Sequence, residues 1–196
     1  MNSLYLNEFM RHKVLLVGSG PYIKEWWTLH HDKIGEVSCM NTAIEVVGAR
    51  HHRWYLSSDY MHNRQWTFQG MRERIGEHIL GLRIVASFLS TPHWYNCPYD
   101  GTMLINSIYD ILNRATIGET PVELNLIGCD LDYSKPKTHF YPGGTADPKR
   151  IPDDVMLGHL HKVEKDFAPM HKIVNLGPQP SFLPFEPGDP DLSWST

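Results

Sequence analysis

Short apolar runs alternate along the chain with longer stretches in which apolar residues recur every three or four positions. Runs of the first kind read as buried strands and stretches of the second kind as amphipathic helices. "KVLLVG" (13–18) is a strand, and "PYIKEWWTLHHD" (21–32) the helix that follows it. "EVSCMN" (36–41) is a second strand, "TAIEVVG" (42–48) a short helix, and "HRWYLSSDY" (52–60) a third strand ending in Ser-Ser-Asp. Segment 62–78 is polar and weakly helical, "LRIVASFL" (82–89) is a strand, and 90–100 is a Pro-rich loop carrying several rings. In 101–118 the residues Met103, Leu104, Ile108, Ile111 and Leu112 lie near a 3.6 period, which predicts a helix. "VELNLIGCD" (122–130) is a strand that alternates and then becomes continuously apolar. Segment 151–170 is mostly helix, with Asp153 or Asp154 near its start, and "HKIVNLG" (171–177) is a last strand.

Strands that alternate with helices predict an α/β fold: a single Rossmann-like domain over 13–177, with a mainly parallel sheet and helices on both faces. Residues 1–12 form an N-terminal extension, and the Pro-rich tail 178–196, which has no period, is expected to wrap the surface or fray. The 196 residues, 41% hydrophobic and 20% charged, suit one such domain rather than two. A net charge of -4 gives no electrostatic reason to expect a duplex nucleic-acid binder. Cys39, Cys97 and Cys129 are odd in number and widely spaced, which fits neither a disulfide framework nor a zinc knuckle, so a reducing, cytoplasmic setting is the expectation. No apolar stretch approaches the roughly 20 residues of a membrane helix.

Candidate chemistry concentrates in four places. Gly18, Ser19, Gly20 and Pro21 form a strand-to-helix turn, where two glycines allow close backbone approach and helix N–H groups face an anion. An NAD site is disfavoured: position 23 is Ile rather than the third glycine, and the second strand ends in Cys39-Met40-Asn41 rather than an acid. Gly101-Thr102 starts another helix, and either binds phosphate or merely caps it. Asp59, at the end of the third strand, is either a ribose or acceptor contact or a turn cap. Asp130 and Asp132 leave the sheet at its carboxyl edge, and the loop beyond gathers Tyr133, Lys137, His139, Tyr141 and Arg150 around Gly143-Gly144. The pairs His30-His31 and His51-His52 and the His159-x-His161 spacing lack a helical i, i+4 arrangement beside a third ligand, so they do not predict a metal site.

Taken in order, "VLLVGSGP", "MN", the Gly-Thr helix start, "LIGCDLDY" and "HFYPGGT" resemble glycosyltransferase family 42, the bacterial sialyltransferases, and the related domains similar to archaeal 6-hydroxymethylpterin diphosphokinase. The likeness runs over roughly 13 to 177 as a set of short motifs. It implies that Gly18, Ser19, Gly20, Pro21 and Asn41 hold the nucleotide of a CMP-sialic-acid-like donor, although Ser19 stands where the family usually has Asn. It also implies that Gly101-Thr102 binds phosphate, that Tyr133 assists its departure, that His139 is the general base, and that Asp130 belongs to the catalytic group. Tyr141, Lys137 and Arg150 are then acceptor or phosphate contacts. This reading is a metal-independent glycosyltransferase with no cofactor beyond its nucleotide-sugar donor and with an unknown acceptor, nucleic acid entering only as a modified base. The chemistry is coherent in itself, because an imidazole near its ordinary pKa takes a hydroxyl proton and a phenol donates to a departing phosphate oxygen.

Two other readings stand beside it. One makes Asp130 and Asp132 ligands of magnesium in an ATP-dependent pyrophosphoryl transfer of the pterin-kinase type. The other is a non-catalytic nucleotide or sugar binder. The lid subdomain of the family is missing, which leaves room for a homo-oligomer in which a neighbouring subunit closes the site.

Overall fold

In the computed structural model, which describes residues 11–48, 53–56, 83–86, 102–131 and 152–191, seven strands form one sheet. They are β1 (His12–Val17), β2 (Glu36–Met40), β3 (Arg53–Leu56), β4 (Arg83–Ala86), β5 (Val122–Ile127), β6 (Lys172–Asn175) and β7 (Glu186–Pro187). Their order is β4-β3-β2-β1-β5-β6-β7, and every pairing is parallel. The chain builds outward from β1 to β4, then crosses back to lay β5 on the other side of β1. The point where the order reverses is therefore the gap between β1 and β5, where open α/β sheets hold their ligands.

Four helices accompany these strands among the described residues: α1 (Ile23–His30), α2 (Ile44–Val47), α3 (Met103–Ile117) and α4 (Asp153–Phe167). The period-2 geometry of β1 sorts them. Leu15 and Val17 join Ile23, Trp26 and Trp27 of α1 and Ile44 and Val47 of α2 in one buried cluster. Val14 and Leu16 face the other way, into a cluster with Leu104, Ile108 and Leu112 of α3 and Met156, Leu160 and Val163 of α4. Successive strand residues point to opposite faces, so α1 and α2 cover one face and α3 and α4 the other. The tryptophans at 26, 27 and 54 are core residues.

Two polar knots fix how α3 lies on the sheet. Near its middle, Asp110 accepts from the Tyr55 hydroxyl of β3 at 3.0 Å and from Arg114 Nε at 2.8 Å, which satisfies a carboxylate buried against a strand. At its far end, buried His171 accepts the Val122 N–H through Nδ1 (3.1 Å). Its Nε2 then donates to Thr116 Oγ1 (2.8 Å), whose own proton goes to the Leu112 carbonyl. That chain of donors requires the neutral ring.

Several boundaries differ from the expectations. The helix expected over 42–48 is split into a 3-10 turn, Asn41–Ala43, and α2, because Asn41 has φ 46°, a left-handed conformation that stops the strand abruptly. Pro21 and Tyr22 form the turn before α1 rather than its first helical residues, whereas Asp153 and Asp154 lie in the first turn of α4 as expected, behind Pro152 at the cap position. The Pro-rich segment after 177 neither frays nor merely covers the surface over 178–191: Leu183 and Phe185 are buried in the α3/α4 cluster, and β7 extends the sheet. The helix expected over 62–78 lies outside the described residues.

Burial and the nearby Arg11 push the His171 pKa below its ordinary 6.5. The unfolded chain therefore binds the proton more readily. The His171 contribution to stability is complete above about pH 6.5 and is lost as pH falls below it, until the native ring also takes up a proton. Urea unfolding between about pH 5 and 7 should give a steeper loss of stability for the wild type than for His171→Gln; equal slopes would contradict this role.

Candidate functional site

All the strands run in parallel, so their carboxyl ends share one edge. Gly18 leaves β1 there, Asn41 leaves β2, Gly128 and Asp130 leave β5, and Gly177 follows β6. Helix α3, as the crossover from β4 to β5, also begins at this edge with Thr102 as its cap residue. Thr102 Oγ1 meets Met156 of the first turns of α4 at 3.9 Å.

At the β1/β5 reversal the two turns pack backbone against backbone. Gly18 N–H donates to the Ile127 carbonyl at 2.8 Å and Gly20 N–H to the Gly128 carbonyl at 2.9 Å. A Cβ on Gly18 would fall inside the Gly128 carbonyl group, and one on Gly20 would lie 2.8 Å from Gly128 Cα. Gly128 has φ 68°, which a side chain would strain. The glycines expected to cradle a ligand thus allow two turns to touch. Two of the N–H groups expected to face an anion are spent on that contact.

Tyr22 ties the same turns together. Its hydroxyl accepts the Gly128 N–H at 3.1 Å and donates to Asp130 Oδ1 at 2.6 Å. Burial, and next the Asp130 charge, push the Tyr22 pKa far above the usual phenol value, so the group stays a proton donor. Gly177 completes the arrangement: a Cβ there would lie 2.6 Å from Asp130 Oδ1, 3.0 Å from the Tyr22 hydroxyl and 3.0 Å from Asn175 Oδ1. Asn175, 1% exposed, accepts the Gly177 N–H through that Oδ1 at 2.9 Å, while its Nδ2 has no hydrogen-bond partner. Tyr22, Asn175 and Gly177 escaped the sequence reading. The signal for Tyr22 was its position one residue past the Gly-Ser-Gly-Pro turn; for the other two it was "NLG" at the end of the last strand.

The other expected residues divide into two groups. Ser19 and Pro21 are half-buried in the β1 turn, and half-buried Asn41 ends β2 with its carbonyl accepting the Trp54 Nε1–H at 2.8 Å. Thr102 stands at the cap position of α3, and its hydroxyl donates to Met156 Sδ at 3.9 Å rather than to a helix amide. Asp59, Gly101, Asp132, Tyr133, Lys137, His139, Tyr141 and Arg150 lie outside the described residues. Cys129, buried beside Asp130, has its thiol pKa pushed up by burial and by that charge, which makes it an inert packing group rather than a nucleophile.

A magnesium ion on Asp130 would compete with the Tyr22 phenol for Oδ1. Among the described residues no group of three His, Cys, Asp or Glu side chains gathers. The donor set on the described edge is a hydrogen-bonding one of phenol, carboxylate, carboxamide and hydroxyl.

Gly18→Ala should cost at least about 3 kcal/mol in urea unfolding, because the clash is with backbone that cannot rotate away. Gly35→Ala, where an added Cβ meets nothing within 4 Å, should be neutral or stabilising by up to about 1 kcal/mol. Equal effects would refute the close approach of the turns. For Asn41 the left-handed backbone predicts that Asn41→Ala costs about 1 kcal/mol and Asn41→Gly clearly less.

Comparison of the chain with known protein families, with curated proteins and with solved structures finds no match.

Proposed function

We propose that the protein binds a nucleotide sugar along the carboxyl edge and transfers the sugar to an acceptor hydroxyl without a metal ion. The observation that carries this reading is topological. The β1/β5 reversal gathers the Gly18–Pro21 turn, Asn41, Thr102 and Asp130 on one edge, although they are spread over more than half of the chain. Of these, the resemblance to glycosyltransferase family 42 gives the Gly18–Pro21 turn, Asn41 and Thr102 to the donor, while Asp130 belongs to the expected catalytic group. With the Gly18 and Gly20 amides engaged by β5, the phosphate has its natural place at the start of α3, where the amino end of a 15-residue helix and the Thr102 hydroxyl favour an anion.

In the reaction, the acceptor oxygen forms a bond to the anomeric carbon as the bond from that carbon to the donor phosphate breaks. His139 takes the acceptor proton, Tyr133 donates a hydrogen bond to the departing phosphate oxygen, and the electron pair of the broken bond leaves with the nucleotide. Both roles rest on the resemblance.

Thermal unfolding against CMP, CMP-N-acetylneuraminic acid, UDP-sugars, ATP and GTP, each with Mg²⁺ and with EDTA, tests the proposal. A ligand at a hundred times its Kd adds about 2.7 kcal/mol, which is a rise of about 5 to 10 °C for a chain of this size. The expected result is such a rise with CMP or its sugar conjugate, equal in EDTA, and retained by His139→Ala while transfer is lost. A rise only with a triphosphate and Mg²⁺ would replace sugar transfer by pyrophosphoryl transfer. No rise with any ligand would leave "VGSGP" as a structural turn.

A further inference from the structure

The glycine amides at the β1/β5 reversal are satisfied in two different ways. Gly18 N–H and Gly20 N–H donate to the carbonyls of Ile127 and Gly128, so neither can be released without parting the two turns. Gly128 N–H donates instead to the Tyr22 hydroxyl at 3.1 Å, and that hydroxyl donates to Asp130 Oδ1 at 2.6 Å. A backbone donor and a carboxylate acceptor therefore converge on one oxygen, and that oxygen belongs to a side chain. Tyr22 lies in the turn before α1 and is half-buried. Releasing its phenol requires side-chain torsions to change and leaves the backbone contact between the turns intact. The bare backbone of Gly177 faces the same point: an added Cβ would stand 3.0 Å from the Tyr22 hydroxyl and 2.6 Å from Asp130 Oδ1. Asp130 has a further interaction besides this one, so the carboxylate does not depend on the phenol alone for its place.

We infer that the Tyr22 hydroxyl stands in for a hydroxyl group of the ligand and that Tyr22 is a gate: the ligand enters by taking the place of the phenol between Gly128 N–H and Asp130. The inference rests on the nucleotide reading above. The chemistry that suits this subsite is that of the group now filling it, a hydroxyl that takes one hydrogen bond and gives another. A phosphate offers acceptors only, and it would meet the Asp130 carboxylate at the point where the phenol gives its proton. A hydroxyl of the ribose or of the transferred sugar makes the same two bonds as the phenol. The closed gate is then a competing state, which lowers the apparent affinity of the wild type for every such ligand.

Titration calorimetry in EDTA with CMP, 2′,3′-dideoxy-CMP and CMP-N-acetylneuraminic acid, on the wild type, Tyr22→Phe and Tyr22→Ala, tests the gate by the sign of the change. Without the phenol hydroxyl, Gly128 N–H and Asp130 are left for the ligand alone, so both variants should bind the ligand that carries the hydroxyl about tenfold more tightly than the wild type. A residue that only braces the turns would give the opposite sign, because its loss loosens the edge and weakens binding. If the hydroxyl is that of the ribose, CMP and its sugar conjugate both gain and dideoxy-CMP does not. If it belongs to the sugar, only the conjugate gains. Equal gains for all three ligands, or variants that bind as the wild type does or more weakly, would overturn the inference. Tyr22→Phe keeps the ring, so it decides the matter where Tyr22→Ala is too unstable to assay. A wild type that binds none of the ligands, beside a variant that binds those with the hydroxyl, supports the gate. No binding by any of the three proteins overturns the nucleotide reading itself, and the gate with it.

Discussion

The contact on which the carboxyl edge depends is the meeting of two backbones, Gly18 and Gly20 on one side and Gly128 on the other. Parallel strands that emerge side by side normally diverge into separate loops. Here the Gly20 N–H to Gly128 carbonyl bond carries the β1/β5 pairing one step past the end of both strands. A side chain on Gly18 or Gly20 would push the turns apart, and with them Tyr22, Asp130 and the start of α1. Glycine is required here for proximity at 18 and 20, and for a left-handed backbone at 128.

That closure decides how the edge can receive a ligand. A phosphate-binding turn works by leaving its N–H groups unspent, whereas this turn spends two of them on its neighbour. Among the described residues, side chains around it form a connected set: phenol to carboxylate, with a carboxamide beside them. Phenol, carboxylate and carboxamide carry no positive charge. The amino end of α3, held on the sheet by the Asp110, Tyr55 and Arg114 knot, supplies the opposite character some distance along the same edge. On the proposed reading, one nucleotide sugar would carry groups for both halves of this edge.

The α/β order was legible in the chain because buried parallel strands leave continuous apolar runs and the intervening helices leave a 3.6 period. β1, β5 and α3 were each found within a few residues for that reason. The carboxyl-edge location of Gly18, Asn41, Thr102 and Asp130 followed from the same order, since each stands next to the end of a strand or the start of a helix. Less local features were hidden. Tyr22 is one of nine tyrosines, and nothing in its neighbours says that its hydroxyl reaches a residue 108 positions away. The contribution of Leu183 and Phe185 to the core was masked by the prolines around them, which signal irregular backbone but carry no information on burial. The glycine turn misled in one respect: its pattern is the same whether the close partner is a phosphate or another turn of the chain.

The most direct measurement is a titration of the ¹⁵N-labelled protein with CMP in EDTA, followed through its backbone amide resonances. If the β1/β5 reversal is the ligand site, the largest shifts fall at 19–23, 41–43, 102–105 and 128–131, while amides at the opposite edge of the sheet, around 34–36 and 121–122, stay in place. Shifts centred on that opposite edge, or spread evenly over the surface, would contradict a nucleotide site built on the closure of these two turns.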